Sequence, residues 1–244
     1  MDKTWHNAEI VEIIDEAPKI KRFRIKLPDL DLFSFIPGQF VAIELPIHED
    51  PKKRVRYYSI ASNPDGSNVF ELVIVLKDDG LGTSFLFFKC DVGFKFKVQG
   101  ANGKFRLPEN IEKDLCFICT GTGLAPFRSM IRHIYRNKIE HKDIHLFFGT
   151  RFEEEILYRM ELDQLASEHP EFHFHVSLSR DENFTEVPGK LQSGYIHSAY
   201  EKEFADKRPA NFYLCGWSGM IQEAKSRLWK LGYTNADLFQ EVYG

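Results

Sequence analysis

Cysteine is scarce in this sequence, with four residues in 244. Cys90, Cys116, Cys119 and Cys215 do not form the disulfide framework of a small secreted domain. No Cys-x4-Cys-x2-Cys run occurs, so the chain does not carry a plant-type iron–sulfur cluster. Cys116 and Cys119 have the spacing of a redox motif, but they lie in an apolar run typical of a strand, where positions three apart point to opposite faces. We therefore expect them to be a buried structural pair.

Long apolar runs and an excess of one charge are also missing. No stretch approaches the ~18 apolar residues of a membrane helix, and the start of the chain, Met1–His6, lacks the apolar segment of a signal peptide. The 32 basic residues are nearly balanced by 36 acidic ones, which argues against a nucleic-acid-binding surface. We expect a soluble, cytoplasmic monomer that binds no nucleic acid and does not insert into a membrane.

Short alternating strands dominate the first half of the chain. Turn residues such as Pro37-Gly38, Pro64-Asp65-Gly66 and Asn102-Gly103 separate them. Several short strands of period two predict an antiparallel barrel or sandwich, with one helical insertion at Thr83–Phe88. The predicted strands are Glu9–Ile14, Lys21–Leu27, Phe40–Leu45, Phe70–Leu76 and Phe94–Val98.

After Leu107 the pattern changes to strand, glycine turn and helix. This alternation predicts a parallel sheet covered by helices on both faces. We expect two domains, 1–110 and 111–244. In the second, the predicted strands are Leu115–Thr120, Ile144–Gly149, Phe172–Leu178 and Phe212–Cys215, and the predicted helices are Pro126–Arg136, Glu155–Glu168 and Met220–Leu231.

The first half contains two candidate phosphate sites. Arg56-Tyr57-Tyr58-Ser59 is either an ordinary strand with one solvent-facing charge or a guanidinium fork for a phosphate. Gly80-Leu81-Gly82-Thr83-Ser84 is a glycine turn into a short helix, whose free N–H groups and hydroxyls suit a phosphate. A plain N-capped helix would have the same pattern. Either segment alone leaves both interpretations open.

Two motifs in the second half follow predicted strands. Gly121-Thr122-Gly123-Leu124-Ala125-Pro126 ends a strand and opens a helix, with Pro126 suited to the first turn, which is the context of a pyrophosphate loop. Cys215-Gly216 also follows a strand, so the thiol lies at the carboxyl edge of the sheet, where open α/β folds bind ligands. The alternative for Cys215 is a small buried hydrophobe.

In their order and spacing, these motifs resemble those of the ferredoxin-NADP reductase family of flavoproteins. The resemblance implies an antiparallel six-stranded β-barrel that binds FAD and an α/β domain with a five-stranded parallel sheet that binds NAD(P)H. It implies hydride transfer between nicotinamide and flavin, and electron transfer between the flavin and a separate ferredoxin, flavodoxin or oxygenase component. The matching segments are Pro37–Val41, Arg56–Ser59, Gly80–Ser84, Gly100–Phe105, Gly121–Pro126, Cys215–Gly216 and Glu241–Gly244.

The resemblance also implies roles for single residues at the flavin. Arg56 would pair with a phosphate, the ring of Tyr58 would stack on the flavin, and the Ser59 hydroxyl would hydrogen-bond its N5 edge. The other implied FAD-binding positions are Tyr57, Gly80, Gly82, Thr83 and Ser84.

At the nicotinamide, Cys215 would lie beside the C4 atom, with Glu241 as a polar or proton-relay partner. Tyr243 would cover the flavin face that the nicotinamide must reach. The implied catalytic residues are therefore Ser59, Cys215, Glu241 and Tyr243, and the other implied NAD(P)H-binding positions are Gly121, Thr122, Gly123, Pro126 and Gly216.

A preference for NADPH is expected from cationic groups able to meet a 2′-phosphate. The cationic candidates are Arg151, Arg180 and Lys190, with Ser179 beside Arg180, and a Ser-Arg pair at this point is what NADP-using family members show. Against them, Asp181 adds a negative charge, and Ser193 stands where plant-type members have lysine. NADH is the alternative.

Two rival functions remain open. One is an NADH-dependent reductase component of an oxygenase or electron-transfer complex, and the other is a flavin-binding module without turnover, against which the intact segments Gly121–Pro126 and Cys215–Gly216 argue. His173 and His175 share a strand face, but two ligands without a third make a poor metal site. We expect no metal.

Overall fold

The computed structural model describes residues 4–243, which divide into two units. The first comprises the chain up to Leu107 together with Ala125–Ile139, and the second comprises Pro108–Leu124 together with the chain from Glu140 onward. One helix of the second half of the chain therefore groups with the first unit.

The first unit contains the predicted antiparallel sheet, and it has six strands. In the order β4-β3-β6-β1-β2-β5, every neighbouring pair is antiparallel. The amide of Ala61, just beyond β4, donates to the carbonyl of Glu71 on β5 at 2.8 Å, which brings the two edge strands together as in a barrel. The strands are β1 Trp5–Ala17, β2 Ile20–Lys26, β3 Phe40–Glu44, β4 Val55–Ser59, β5 Val69–Val75 and β6 Lys95–Asn102.

Alternating residues of these strands form the core of the first unit. Phe23 and Ile25 on β2, Ile43 on β3, and Phe70 and Leu72 on β5 are at most 2% exposed and belong to one apolar cluster. Charged residues fill the alternate positions of β2, such as Arg24 and Lys26. On β2 the period-two pattern of the sequence is therefore also the pattern of burial, whereas on β5 every residue from Phe70 to Ile74 is buried.

The second unit contains the predicted parallel sheet, but with six strands rather than five. Its order is β10-β9-β8-β7-β11-β12, and every pairing is parallel. The apolar pattern of the sequence does not indicate the two edge strands, because β10 has only three residues and β12 is only half-buried. The strands are β7 Asp114–Thr120, β8 Ile144–Thr150, β9 Phe172–Leu178, β10 Leu191–Ser193, β11 Ala210–Trp217 and β12 Leu238–Tyr243.

Five helices accompany the sheets in the described part of the chain. The helix predicted from Glu155 begins only at Arg159, because Glu153–Glu155 form a 3-10 turn and Tyr158 is left-handed at φ 51°. Helix α4 was not predicted. No helix among residues 4–243 is long and apolar enough to cross a membrane. The helices are α1 Leu81–Phe88, α2 Leu124–Asn137, α3 Arg159–Glu168, α4 His197–Glu203 and α5 Ser218–Leu231.

Candidate functional site

Arg56 on β4 lies against the first turn of α1. A Cβ atom added to Gly82 would lie 2.9 Å from Arg56 Cγ and 3.1 Å from its Nε, so a glycine at position 82 lets the arginine lie along the start of the helix. Arg56 Nη1 donates to the carbonyls of Lys53 at 2.9 Å and Val55 at 2.8 Å. Because the first turn of a helix has N–H groups without intrahelical acceptors, a cation and a helix amino terminus lie side by side. This arrangement fits the pyrophosphate of FAD.

The turn before α1 is closed by its own side chains. The Thr83 hydroxyl accepts from the Lys77 amide at 3.1 Å and donates to the Gly80 carbonyl at 3.1 Å. A Cβ at Gly80 would approach Thr83 Oγ1 to 2.5 Å. Ser84 is half-buried, and its amide donates to the Gly80 carbonyl. Gly80 and Thr83 therefore shape the loop that presents the helix amino terminus.

The two tyrosines of β4 differ in exposure. Tyr58 packs against the core of the first unit, and burial raises its pKa to about 12 although Arg56 opposes the shift. Tyr57 is 68% exposed and touches Phe40 edge to face, with ring centroids 5.8 Å apart. Ser59 is 5% exposed. Tyr58 is therefore a neutral phenol held by the core, whereas Tyr57 has the larger surface open to a ligand.

Sequence reasoning missed an anchor between α2 and the loop that follows Ser59. Arg128 of α2 is 3% exposed, and its Nη1 donates to the Ala61 carbonyl and to Glu71 Oε1, both at 2.9 Å. The Ser129 hydroxyl donates to the Ser62 carbonyl at 2.6 Å. The only signal in the sequence is an arginine and a serine among apolar helix residues. The contacts hold the loop next to the predicted flavin residues.

The glycine turn of the second unit depends on close approach to β11. Gly121–Gly123 form a 3-10 turn between β7 and α2, and Gly121 has φ +51°. A Cβ at Gly123 would lie 2.8 Å from the carbonyl carbon of Cys215 and 3.1 Å from the amide nitrogen of Gly216. Pro126 is the third residue of α2, as the predicted first-turn position requires. The turn and the Cys215-Gly216 segment therefore lie in direct contact.

Cys215, Glu241 and Tyr243 lie together on one face of the sheet. Cys215 pairs with Glu241 in the parallel register, and Tyr243 is two residues farther along β12. Burial raises the pKa of Cys215 well above its usual value, the Glu241 charge raises it further, and a hydrogen bond with the Tyr243 side chain opposes the shift. Cys215 is therefore a neutral thiol at neutral pH. Gly244 lies outside the described residues.

The two candidate arginines for a 2′-phosphate differ in their partners. Arg151 is held by Glu155, with Nη2 2.6 Å from Oε1, whereas among residues 4–243 the Arg180 side chain is exposed and makes no hydrogen bond or ion pair. The Arg180 amide donates to the Arg151 carbonyl at 3.0 Å, so both stand at the carboxyl edge of the sheet. The Asp181 carboxylate accepts from the Glu153 amide. Arg180 is the guanidinium that is open to a ligand.

His173 and His175 do have further polar neighbours, contrary to the reasoning from sequence. His145 on β8 stacks on His173 with ring centroids 4.4 Å apart and planes 19° apart, and its Nδ1 is 3.4 Å from His175 Nε2. Arg208 Nη2 lies 3.3 Å from His145 Nε2, so that nitrogen accepts and Nδ1 carries the proton. Glu203 and Asp143 complete the surroundings. The arrangement is a hydrogen-bonded stack of imidazoles.

Two family models match the chain, one in each half. The model described as an oxidoreductase FAD-binding domain matches residues 7–107, and the one described as an oxidoreductase NAD-binding domain matches residues 117–226. They cover the predicted flavin residues and most of the predicted nicotinamide residues.

Individual relatives point to the same pair of domains. The chain is 31% identical to ferredoxin-NADP reductase B of Sorangium cellulosum over 216 residues, which are 88% of this chain and 87% of the relative. It is 29% identical to the anthranilate 1,2-dioxygenase electron transfer component of Acinetobacter baylyi, covering 96% of this chain but 65% of that protein. The crystal structure of the Amycolatopsis cytochrome P450 reductase GcoB has a TM-score of 0.86 at 24% identity, covering 98% of this chain and 69% of GcoB.

Proposed function

The chain belongs to the ferredoxin-NADP reductase family of flavoproteins, and we propose that it takes hydride from NADPH and delivers electrons to a separate carrier protein. The observation that carries this proposal is a glycine-lined helix amino terminus in each half of the chain. Gly82 admits Arg56 at the start of α1, and Gly123 admits the Cys215 backbone before α2. Each arrangement suits a phosphate, and the two cofactors each contain a pyrophosphate.

Bound FAD would accept hydride and release electrons one at a time, so the protein supplies binding and orientation. Arg56 and the first turn of α1 would neutralise the pyrophosphate. Tyr57 and Tyr58 would hold the flavin ring, and the Ser59 hydroxyl would lie at its reactive edge. The hydrogen bond from Arg128 to the Ala61 carbonyl supports this role of Ser59, because it holds the loop that follows Ser59 in place.

The nicotinamide would lie beside Cys215, with its pyrophosphate at Gly121–Gly123. A thiolate at that position would add to the electrophilic C4 atom, whereas the raised pKa keeps Cys215 as a thiol that only packs against the ring. Glu241 and Tyr243 are the polar groups beside the thiol. The open guanidinium of Arg180 supports NADPH over NADH.

A second function is favoured by one comparison, the 29% identity to the electron transfer component of a dioxygenase. In that case the chain would use NADH and reduce an oxygenase directly. The chain spans 65% of that relative. The acceptor in either case would be a ferredoxin, a flavodoxin or an oxygenase component.

The test is anaerobic reduction of the purified holoenzyme followed in the visible flavin spectrum. We expect bound FAD and bleaching by NADPH faster than by NADH, and then reoxidation by added ferredoxin or flavodoxin. A protein that takes up no FAD would overturn the proposal. If FAD is bound but neither nucleotide bleaches it, the protein is a flavin-binding module without turnover. Faster bleaching by NADH than by NADPH would favour the reductase component of an oxygenase.

A further inference from the structure

Trp217 presents a large aromatic surface to solvent at the end of β11. Its side chain is 61% exposed, and it is the last residue before α5. A Cβ at Gly219 would overlap the six-membered ring of Trp217, lying 2.7 Å from its Cε3 and closer to two other ring atoms. The indole is therefore seated on the first turn of α5 at a place that only glycine leaves free.

The neighbours of Trp217 belong to the nicotinamide region. It follows Cys215 and Gly216 directly, and in the parallel register it pairs with Tyr243. Gly216 has φ +149°, and a Cβ there would lie 2.7 Å from Thr120 Oγ1, so the backbone that carries Trp217 is packed against the end of β7. The indole thus stands at the carboxyl edge of the sheet, two residues from the thiol.

A second exposed tryptophan, Trp229 on α5, has a neighbour that Trp217 lacks. Trp229 is 47% exposed, and the Lys225 ammonium lies 5.4 Å from its ring centroid. Within residues 4–243, no cation or second ring is in contact with Trp217. An indole face attracts cations through its quadrupole. The oxidised nicotinamide ring is a planar cation, whereas the reduced ring is neutral.

We propose that Trp217, seated on Gly219, is a stacking platform for the oxidised nicotinamide ring and makes the protein bind NADP+ more tightly than the reduced cofactor. This rests on the proposed function, because it requires a nicotinamide nucleotide at the Cys215 edge. Trp217 is a specificity-determining residue here, since it discriminates between redox states of one ligand. The consequence is retention of the oxidised product after hydride has left.

The test is equilibrium binding of two ligands to the holoenzyme, NADP+ and its 1,4,5,6-tetrahydronicotinamide derivative, which is neutral and donates no hydride. Trp217→Leu keeps an apolar side chain but removes the π face, and we expect it to weaken NADP+ binding about threefold to tenfold. Binding of the neutral derivative should change less than twofold. Quenching of tryptophan fluorescence by NADP+ should be reduced in the same variant.

Gly219→Ala is the second variant, because it displaces the indole without removing it. Alanine is the better helix former, so the urea midpoint should not fall, while NADP+ binding should weaken as in Trp217→Leu. Trp229→Leu is the matched control and should change neither ligand. Equal weakening of both ligands in Trp217→Leu, or no weakening of either, would overturn the platform and leave the proposed function intact. Wild-type holoenzyme that binds no nicotinamide nucleotide would overturn both.

Discussion

Arg56 illustrates how one side chain is placed by a residue far along the chain. Its strand alone would leave it a solvent-facing charge, but the missing side chain at Gly82 lets it lie along the start of α1. Its guanidinium also donates to the backbone carbonyls of Lys53 and Val55. A preorganised guanidinium loses less side-chain entropy when it meets a phosphate.

We predict that Arg56→Ala weakens FAD binding about tenfold to a hundredfold, because a charge-assisted hydrogen bond contributes roughly 1.5–3 kcal/mol. The measurement is equilibrium dialysis of the apoprotein against FAD. The matched control is Arg54→Ala, since Arg54 is a neighbouring arginine that donates to the carbonyls of His48 and Glu49. Equal weakening in both variants would contradict a specific phosphate contact.

Arg180 and Arg151 form a matched pair for the choice of nucleotide. We predict that Arg180→Ala raises the KM for NADPH while leaving that for NADH nearly unchanged, because only NADPH has the 2′-phosphate. Arg151→Ala should instead lower the stability of the protein, since it leaves the buried Glu155 without its ion pair. Steady-state kinetics with both nucleotides and thermal unfolding of both variants check this. Equal increases in both KM values for Arg180→Ala would assign it to loop structure only.

At the scale of elements, α2 depends on a buried ion pair with the strand β5. Arg128 Nη1 and Glu71 Oε1 are 2.9 Å apart, and the two side chains are at most 10% exposed. Arg22 Nη1 lies 3.7 Å from the other oxygen of Glu71. Removing one partner of a buried pair destabilises more than removing both, because the remaining charge loses its closest counter-ion.

We predict that Arg128→Met lowers the free energy of unfolding by about 3–5 kcal/mol, and that adding Glu71→Leu restores a large part of it. Urea denaturation of the single and double variants measures both effects. Arg132→Met is the control, because Arg132 is exposed and its Nε donates to Asn63 Oδ1 at 3.1 Å. A double variant no more stable than Arg128→Met would show that the arginine acts by packing and not by charge.

At the scale of the whole molecule, acid stability depends on the imidazole stack. Burial is the main cause that lowers the pKa of His145 to about 2, and it also lowers that of His175 to about 4. Their ordinary value is about 6.5, so both stay neutral in the folded protein while the unfolded chain takes up protons. The stability that comes from burying these rings in the neutral form is therefore complete above pH 6.5, and it is lost as the pH falls from 6.5 to about 4 for His175 and to about 2 for His145.

We predict that His145→Phe makes the fall in stability between pH 6.5 and pH 4 less steep by about one proton, which is about 1.4 kcal/mol per pH unit. Phenylalanine keeps a ring in the stack but cannot titrate. Urea denaturation at several pH values in this range measures the slope. A wild-type slope in His145→Phe would assign the acid sensitivity to other groups.

The amino-acid sequence by itself determined the two halves and the type of each sheet. Period-two alternation in the first half and the repeat of strand, glycine turn and helix in the second are local patterns, and local backbone geometry is what such patterns report. The glycines of the two proposed phosphate loops were also visible in the sequence, because only glycine allows the close approaches at Gly82 and Gly123. The sequence also yielded the family, through the joint order of the motifs.

Tertiary structure alone decided which strands form the edges of the parallel sheet and which residues surround the buried and exposed side chains of the site. Strands β10 and β12 take their hydrogen bonds from β9 and β11, so no local pattern predicts them. Contact partners also lie at very different distances along the chain: two positions away for Trp217, 30 for His145 and 67 for Arg128. A side chain's environment is set by whichever segments pack against it, and that packing is a property of the folded chain rather than of the residues on either side.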